Sequence, residues 1–577
     1  MSTVIPEKVQ ILVLGGGPAG SYAASILALE GFDVVLLEAV KFPRYHIGES
    51  MLPSCPQFLK LIDLEDTVKN FGFCRKPGAA LKLVGEKKEA YTDFVRTDPN
   101  NSSWNVTRAD FDNILLRQAE KVGVKVFEET RAISINFVNN NPKGRPIAVK
   151  WQNSIHRGIS GTISFQYLID ATGREGIMAQ KYLKHRKVNT SLRNIACWGY
   201  WRGAGVYGIG TSRQNAPWFE ANTDESGWNW FIPLHNGMTS VGVVINEVAG
   251  SQRKAATKRA NGGVAPTLKE HYLDCLTLTP GLIDLLGDGK LVEDGPYPVV
   301  QSASDFSYNA PTYSGDHYRL IGDAAAFIDP FFSSGVHLAF TGGLAAAVSI
   351  ASSIRGEFSE AEVCKYHDAK IGIAYTRFLV VVLSAYKQMR AQDRSVLSDF
   401  DEDNFDRAFD IIRPVIQGDS DVGRRMSEDE LQKVIALCGG VFLPVGPDVH
   451  ARVVPRLDNK LLDPQGPIVT PEEIEALVPD DIEAQLVLKE INARKGAGGV
   501  FLSVGSSFDE ITEGFSARVI RGHIGLISHE SKAMPTTPMP LRKFGKAKPF
   551  YLSRSLLLFV VVILALLFGK YSTFVVV

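Results

Sequence analysis

Cysteine is scarce in this sequence, and the six that occur are not arranged as ligands or pairs. They are scattered along 577 residues, and no two are spaced as CxxC. Zinc sites and the disulfide frameworks of small secreted proteins depend on local cysteine clusters. We therefore predict no metal site and no disulfide framework, and we expect reduced thiols, as in the cytosol.

An excess of charge of one sign is missing as well. The chain has 62 lysines and arginines against 63 aspartates and glutamates, which gives a net charge of −1. A protein whose main task is to bind nucleic acid needs positive charge to neutralise phosphates. Nucleic acid is therefore not an expected partner. The hydrophobic fraction of 45% is that of a globular protein.

Long hydrophobic runs are absent except at the C-terminal end. The first residues, MSTVIPEKVQ, are polar, so no secretory signal is expected. Residues 555–577 are mostly apolar with one charge, Lys570, and as a helix they would be ~34 Å long, enough for a bilayer. We predict a membrane anchor there, spanning or lying in the membrane, after a Pro-rich and basic linker over 531–554. The basic flank favours a cytosolic catalytic domain, and a buried core helix is the alternative.

The richest local pattern is a glycine turn after the first apolar strand. VQILVL runs into GGGPAG, a helical segment follows, and a second strand, DVVLLE, ends in an acid. This order is typical of dinucleotide binding, because the glycines admit a pyrophosphate to a helix N-terminus and the acid receives ribose hydroxyls. A purely structural glycine turn is the alternative. The predicted cofactor contacts are Gly15, Gly16, Gly17, Ala19, Gly20 and Glu38.

Three further segments favour FAD over NAD. YLIDATG (167–173) is predicted to be a strand that leads to a turn. YRLIGDAAA (318–326) is predicted to be a strand followed by Asp323 and a helix start. VTRADF places Arg108 ahead of an amphipathic helix. With the glycine turn, they resemble FAD-dependent monooxygenases of the hydroxybenzoate hydroxylase type. That resemblance implies an α/β fold, in which a Rossmann-like FAD domain is interleaved with a mainly antiparallel substrate sheet. Arg108 and Asp323 then contact FAD, and a helix cap is the other interpretation of Asp323.

Two tryptophans on one strand narrow the family. In GWNWFIP, Trp228 and Trp230 share a face, and Pro233 ends the strand. The segment matches the W-x-W-x-I-P signature of flavin-dependent halogenases, and ordinary core packing is the alternative. The resemblance implies that Trp228, Trp230 and Pro233 separate flavin from substrate, so that substrate is not oxidised directly. The other segments that resemble this family, its fungal members in particular, are FIDPFFSSG (327–335), GESMLP (48–53) and DFSY (305–308).

The same resemblance assigns a chloride site next to the flavin. It implies that the backbone N–H groups of Ser334 and Gly335 hold chloride, which agrees with the close approach and the anion nests that glycine permits. Val336 is then expected to lie against the flavin, and Glu49 is expected as a further cofactor contact.

A lysine is expected to carry the oxidant to the substrate. Halogenases of this type use a lysine either as a hydrogen-bond donor to hypochlorous acid or as a chloramine. In FCRKPGAALK the matching residue is Lys76, and Lys82 is its rival. Burial lowers the pKa of a lysine and so provides a reactive neutral amine.

One departure from the family pattern points to a phenolic substrate. Tryptophan halogenases carry a glutamate two residues before the position of Ser334, and this sequence has Phe332 there. Without that carboxylate, we expect the substrate to activate its own ring, as a phenol does, and a prenylated or long-chain phenol would suit a membrane tail. The sequence does not identify the group that deprotonates it. The histidines near the motifs, interpreted as structural or flavin-packing residues, are His46, His235 and His337.

The resulting hypothesis is a flavin-dependent halogenase that chlorinates an electron-rich phenol, prenylated or of polyketide type, in secondary-metabolite biosynthesis. FAD is the cofactor, chloride and O2 are co-substrates, and a separate flavin reductase supplies FADH2, because no second dinucleotide fingerprint is found. A FAD-dependent aromatic hydroxylase and an inactive membrane-tethered flavoprotein scaffold are the alternatives. The expected domains are 1–355 for FAD and substrate sheet, 356–530 for a mostly helical lobe, 531–554 for the linker and 555–577 for the anchor.

Overall fold

A computed structural model gives the architecture of most of the chain. It describes residues 4–85, 89–95, 98–295, 297–390, 449, 452–462, 469, 471–501, 508 and 511–529. The predicted linker (531–554) and membrane anchor (555–577) lie outside the described residues. The boundary of the predicted helical lobe, 356–530, stays a prediction.

Twenty strands occur in the described residues. In chain order they are β1 Lys8–Leu14, β2 Val34–Leu37, β3 Cys74–Lys76, β4 Gly78–Lys82, β5 Ala90–Asp93, β6 Ser103–Asn105, β7 Lys125–Phe127, β8 Thr130–Phe137, β9 Pro146–Asn153, β10 Ser160–Asp170, β11 Lys187–Arg202, β12 Trp218–Ala221, β13 Gly227–Pro233, β14 Met238–Asn246, β15 Lys290–Leu291, β16 Gln301–Asn309, β17 Ser314–Gly315, β18 Tyr318–Leu320, β19 Phe515–Arg518 and β20 Gly525–Ser528.

Twelve α-helices occur in the same residues, and several of them pack on the sheets. They are α1 Pro18–Leu29, α2 Cys55–Leu61, α3 Glu65–Asn70, α4 Arg108–Lys121, α5 Glu247–Ala260, α6 Leu268–Leu276, α7 Pro280–Leu286, α8 Gly335–Ile354, α9 Glu360–Met389, α10 Asn459–Leu462, α11 Pro471–Leu477 and α12 Ile482–Phe501.

The first sheet has the predicted dinucleotide-binding form. Its central strands run parallel in the order β18-β10-β1-β2-β7. Strand β1 is a continuous apolar run because both of its faces are buried, Leu12 and Leu14 in one core and Ile11 and Val13 in another. Since parallel strands end at one edge, the turns after β1, β2, β10 and β18 meet there.

The second sheet is mainly antiparallel, as predicted. Its strand order is β15-β11-β14-β13-β12-β4-β5, with β16 also on β11, and only the β12–β4 pair is parallel. In this sheet Trp198 of β11 pairs with Gly242 of β14, and Gly242 pairs with Trp230 of β13. The α/β fold with a Rossmann-like sheet and an antiparallel sheet is therefore confirmed.

The predicted helix start directly after Asp323 is wrong. Gly322–Ala324 is a single 3₁₀ turn, and the long helix α8 begins only at Gly335. Pro330 accounts for the delay, because the residue before a proline is driven to extended geometry, and Asp329 has φ −41° and ψ 133°. Asp323 therefore caps no α-helix.

Helix α8 packs on α1 and α9 in the interior. Among the described residues it is one helix with the length and apolar composition of a membrane span, but most of it is buried within the protein. The core of a folded domain explains its composition.

Candidate active site

A long cavity of about 490 Å³ opens between the two sheets. One end lies at the β2 terminus beside Glu38, the middle passes Gly17 and Asp323, and the other end reaches Trp230 and Val336. Two groups of segments that are far apart in sequence thus form one continuous site. The site residues predicted from the sequence that line it are Gly15, Gly17, Ala19, Glu38, Glu49, Arg108, Trp228, Trp230, Asp323, Gly335 and Val336.

The glycine turn is shaped by close backbone contacts. A Cβ on Gly15 would lie 2.3 Å from the Ala171 carbonyl oxygen, and one on Gly20 would lie 2.0 Å from the Gly15 oxygen. The Gly16 N–H donates to Glu38 Oε2 at 2.6 Å, which fixes the acid beside the turn. The turn leads into the N-terminus of α1, whose first N–H groups lack intrahelical acceptors. This arrangement favours an anion.

The middle of the cavity is rich in guanidinium groups. Arg108 forms two hydrogen bonds with Asp112, of 2.8 and 2.9 Å, and Arg44 contacts the same carboxylate at 3.0 Å. Burial raises the pKa of Asp323, although Arg174 and Arg108 oppose the shift. Arginines held by a buried carboxylate are well placed to receive phosphate.

The far end of the cavity is a wall of indoles. Trp228 and Trp230 lie on the same face of β13, with ring centroids 6.0 Å apart, and Trp198 approaches Trp230 at 6.4 Å. A Cβ on Gly242 would meet the Trp230 ring at 2.2 Å, so this glycine makes room for the indole. Pro233 ends the strand, as predicted, but it does not line the cavity.

The start of α8 faces the cavity. Ser333 has φ +57°, and the helix then begins at Gly335 without a capping hydrogen bond from the Ser334 side chain. The right-handed 3₁₀ turn that ends at Phe332 is followed by the left-handed Ser333. A right-handed residue followed by a left-handed one turns successive N–H groups toward one point. Gly335 and Val336 line the cavity, whereas Ser334 is fully buried behind them.

Lys76 lies just outside the cavity wall. Its side chain is 1% exposed, and its Nζ donates to the Met51 carbonyl oxygen at 2.9 Å and sits 5.0 Å from the Phe94 ring centroid. Glu49 and Ser50, directly before Met51, line the cavity. Burial lowers the pKa of Lys76 from 10.5 to about 7. A large fraction of this amine is therefore neutral near neutral pH.

Lys82 has a different environment. Its Nζ lies 3.6 Å from Glu220 Oε1, and the side chain is 18% exposed. Glu220 also accepts hydrogen bonds from the N–H groups of Gly281 and Leu282 at the start of α7. Lys82 is thus paired with a carboxylate, whereas Lys76 is not paired with one among the described residues.

Comparison with known proteins agrees with this geometry. The sequence model of the family described as tryptophan halogenase matches residues 10–94 and 86–422. The flavin-dependent halogenase armH1 of Armillaria mellea is 50% identical over 533 residues, 91% of this chain and 100% of the relative. The chain belongs to the flavin-dependent halogenase family.

A second relative by sequence and one solved structure also belong to halogenases. Sulochrin halogenase gedL of Aspergillus terreus is 43% identical over 549 residues, which cover 92% of the chain and 95% of the relative. The structure of the myxobacterial chondrochloren halogenase CndH, described as a variant FAD-dependent halogenase, has a TM-score of 0.59 and 28% identity over 74% of this chain and 97% of that one. FAD is therefore the cofactor that the family implies.

The residues of the cavity fit FAD. Gly15 and the N-terminus of α1 suit the pyrophosphate, Glu38 lies where a ribose would bind, and Arg44 and Arg108 supply positive charge. The indole wall and Val336 offer apolar surface for a flat ring at the other end. Gly16 and Gly20 lie behind the turn and shape it without lining the cavity.

The histidines near the motifs have separate surroundings in the halogenase. His46 lines the cavity and is accessible from it, and desolvation by the surrounding protein, followed by the Arg108 charge, lowers its pKa to about 4. His337 is buried and hydrogen-bonded to Ser54 Oγ at 2.9 Å. His235 is exposed to solvent, and one edge of its ring contacts Phe73. Phe332, at the position of the missing glutamate, is buried.

Sequence reasoning missed several residues of the halogenase site. Trp198 completes the indole wall, and no motif predicted it, because Trp198 and Trp201 in CWGYW are three residues apart and point to opposite faces of β11. Arg44 and Asp112 had no motif of their own. Tyr386 is also part of the site, because its hydroxyl accepts a hydrogen bond from the Trp228 indole at 2.8 Å. No local sequence pattern predicted this contact.

Proposed function

We propose that this halogenase chlorinates a ring carbon of an electron-rich phenol, and that Lys76 delivers the chlorinating agent. The observation that carries the proposal is the state of the Lys76 amine. It is buried, its pKa is lowered to about 7, and it contacts a segment whose preceding residues line the FAD cavity. In the described residues it forms no ion pair with a carboxylate.

Each group of residues around the cavity has one task in the proposed reaction. FAD, when bound and reduced, supplies the two electrons that convert O2 and chloride into hypochlorous acid and water. The N–H groups of Ser334 and Gly335 bind the chloride at the start of α8, where the helix dipole favours an anion. Trp228 and Trp230 close the apolar end of the cavity, which keeps the phenol away from the flavin.

Lys76 then receives the hypochlorous acid. As an ammonium ion it donates a hydrogen bond to the reagent, and as a neutral amine it can form a chloramine. A pKa of about 7 makes both forms available near neutral pH. In either case the reagent is confined next to one ring position of the substrate.

The chemistry of the pocket favours a phenol over an indole. Phe332 replaces the carboxylate of tryptophan halogenases, so activation of the ring must come from the substrate itself. A relative that is 43% identical is named sulochrin halogenase, so its named substrate is a small molecule other than tryptophan. Secondary-metabolite biosynthesis, with a prenylated or polyketide phenol, is the setting that these features favour.

Two partners complete the proposal. A separate reductase supplies FADH2, since the sequence has one dinucleotide fingerprint. Residues 555–577 attach the enzyme to a membrane with the catalytic domain in the cytosol, because this segment is apolar and its flank is basic.

Product analysis tests the function. The protein is incubated with FAD, a flavin reductase, NADH, O2 and chloride, together with a set of phenols and their methyl ethers, and products are analysed by mass spectrometry. We expect a single chlorine isotope pattern on the phenols and much less on the ethers. A gain of oxygen in place of chlorine would identify an aromatic hydroxylase instead.

A further inference from the structure

Glu49 places a buried carboxyl group at the cavity wall, and one of its oxygens has no hydrogen-bond donor among the described residues. It lines the cavity and is only 3% exposed. Its Oε1 accepts a hydrogen bond from the Tyr200 hydroxyl at 2.8 Å. Its Oε2 is buried and accepts none from the described residues. A buried carboxylate oxygen without a donor is costly, and protonation removes that cost.

A chain of hydroxyl groups leads from Glu49 through Tyr200 to the half-buried Tyr45. The Tyr200 hydroxyl gives its proton to Glu49, so its oxygen accepts from Tyr45, 3.0 Å away. The Tyr45 oxygen in turn accepts from the Trp198 indole N–H. Tyr45 is half-buried, and its ring packs against Tyr297, which is 46% exposed. Every hydroxyl of the chain thus donates inward, toward the cavity.

The surroundings of Glu49 bring its pKa close to neutral pH. Burial raises the pKa of Glu49 to about 7, while the hydroxyls of Ser240 and Tyr200 and the Arg108 guanidinium oppose the shift. Burial also raises the pKa of Tyr45 to about 12 and that of Tyr200 well above its ordinary value. The tyrosines therefore stay protonated while Glu49 gains and loses a proton near neutral pH.

The proposed chlorination requires a proton at this place. The balance is FADH2 + O2 + Cl⁻ + H⁺ → FAD + HOCl + H2O, so each chloride oxidised takes up one proton. Bulk water is a poor proton donor where a bound flavin and the indole wall exclude solvent. A carboxylic acid beside the reacting oxygen can break its own O–H bond and form the new O–H bond of hypochlorous acid or water.

We propose that Glu49 is the catalytic acid that supplies this proton to the cavity, and that Tyr200 and Tyr45 replace it. The inference rests on the proposed chlorination. The Tyr200 proton moves to Glu49 Oε1, the Tyr45 proton moves to Tyr200, and solvent reprotonates Tyr45. Rotation of the Glu49 carboxyl group and of the two tyrosine O–H groups then restores the starting arrangement for the next turnover.

Infrared spectroscopy of the protein without FAD tests the resting state of Glu49. The difference spectrum between wild type and Glu49→Gln should contain the C=O band of a protonated carboxyl. This band should disappear with a midpoint near pH 7. Absence of the band throughout the range from pH 5 to 8 would overturn the proposal, whatever the activity.

Kinetics test the role, with a matched pair as control. Glu49→Gln should lower product formation by about 100-fold, and Tyr200→Phe should lower it less while increasing the solvent deuterium isotope effect. Flavin fluorescence checks that both variants bind FAD. Glu89 accepts from Tyr207 at 2.8 Å outside the cavity lining, so Glu89→Gln should behave as wild type.

The outcomes separate this inference from the proposed function. A wild type that chlorinates, with Glu49→Gln equally active at every pH, overturns the role of Glu49 alone. A wild type that only hydroxylates overturns the proposed chlorination and with it the proton that the inference requires.

Discussion

The indole nitrogen of Trp228 donates a hydrogen bond to the hydroxyl of Tyr386, 2.8 Å away and 158 residues later in the chain. Tyr386 in turn donates to Asp329 Oδ2 at 2.6 Å, and Asn194 donates to both. All four side chains are buried. Helix α9 thus fixes the orientation of one tryptophan of the indole wall through the Tyr386 hydroxyl, which Asp329, just before helix α8, holds in place.

Replacing Tyr386 should loosen this wall. Tyr386→Phe leaves the Trp228 N–H and Asp329 without a partner hydroxyl, at a cost of about 1–3 kcal/mol in the free energy of unfolding. We expect the ratio of chlorinated product to NADH consumed to fall severalfold, because the reagent is less well confined. Tyr375→Phe, a buried tyrosine on the same helix, is the control. If both variants retain the wild-type ratio, Tyr386 has no positioning role.

Lys76 should destabilise the fold in a pH-dependent manner. Its pKa in the folded state, about 7, lies below the value of 10.5 for a free side chain. The cost of burying the ammonium ion is therefore complete below pH 7, declines as the pH rises and is gone above 10.5. Lys76→Met should accordingly stabilise the protein by roughly 4 kcal/mol at pH 6 and by clearly less at pH 9.

Thermal or urea unfolding at these two pH values measures the effect. Lys82→Met is the matched control, because it removes the ion-pair partner of the buried Glu220 and should destabilise the protein. A Lys76→Met variant that unfolds more easily at pH 6 than the wild type would contradict the assignment of a buried neutral amine.

Chloride affinity should depend on the backbone at the start of α8. A Cβ at Gly335 meets no atom within 4 Å, so Gly335→Ala should fold while its methyl group occupies the space in front of the N–H groups. We expect the KM for chloride to rise about tenfold, equivalent to 1.4 kcal/mol. Ser334→Ala keeps the N–H and removes a hydroxyl that has no partner among the described residues, so its KM should be unchanged. A larger effect for Ser334→Ala would place the chloride on the side chain.

Removal of residues 555–577 should release the enzyme from membranes. Flotation with phospholipid vesicles compares the full chain with a protein that ends at residue 554. We expect the full chain to float and the shortened protein to stay in the soluble fraction with its FAD bound. Flotation of both would show that another surface attaches to lipid.

Local patterns predicted much of the fold and part of the site. The glycine turn, Glu38 and the shared face of Trp228 and Trp230 depend on residues close in sequence, so spacing was sufficient. The helix expected after Asp323 failed because Pro330, farther along, governs the path of the chain. The hydroxyl chain from Tyr45 to Tyr200 joins residues 155 positions apart, and only the packing of the two sheets brings them together.

The central claim is that the Lys76 amine carries the chlorinating agent to a phenol. The most direct measurement compares chlorinated product, FAD binding and NADH consumption for the wild type, Lys76→Ala and Lys82→Ala under identical conditions. We predict that Lys76→Ala binds FAD and consumes NADH but forms no chlorophenol, whereas Lys82→Ala still chlorinates. Chlorination at the wild-type rate and ring position by Lys76→Ala would contradict the account.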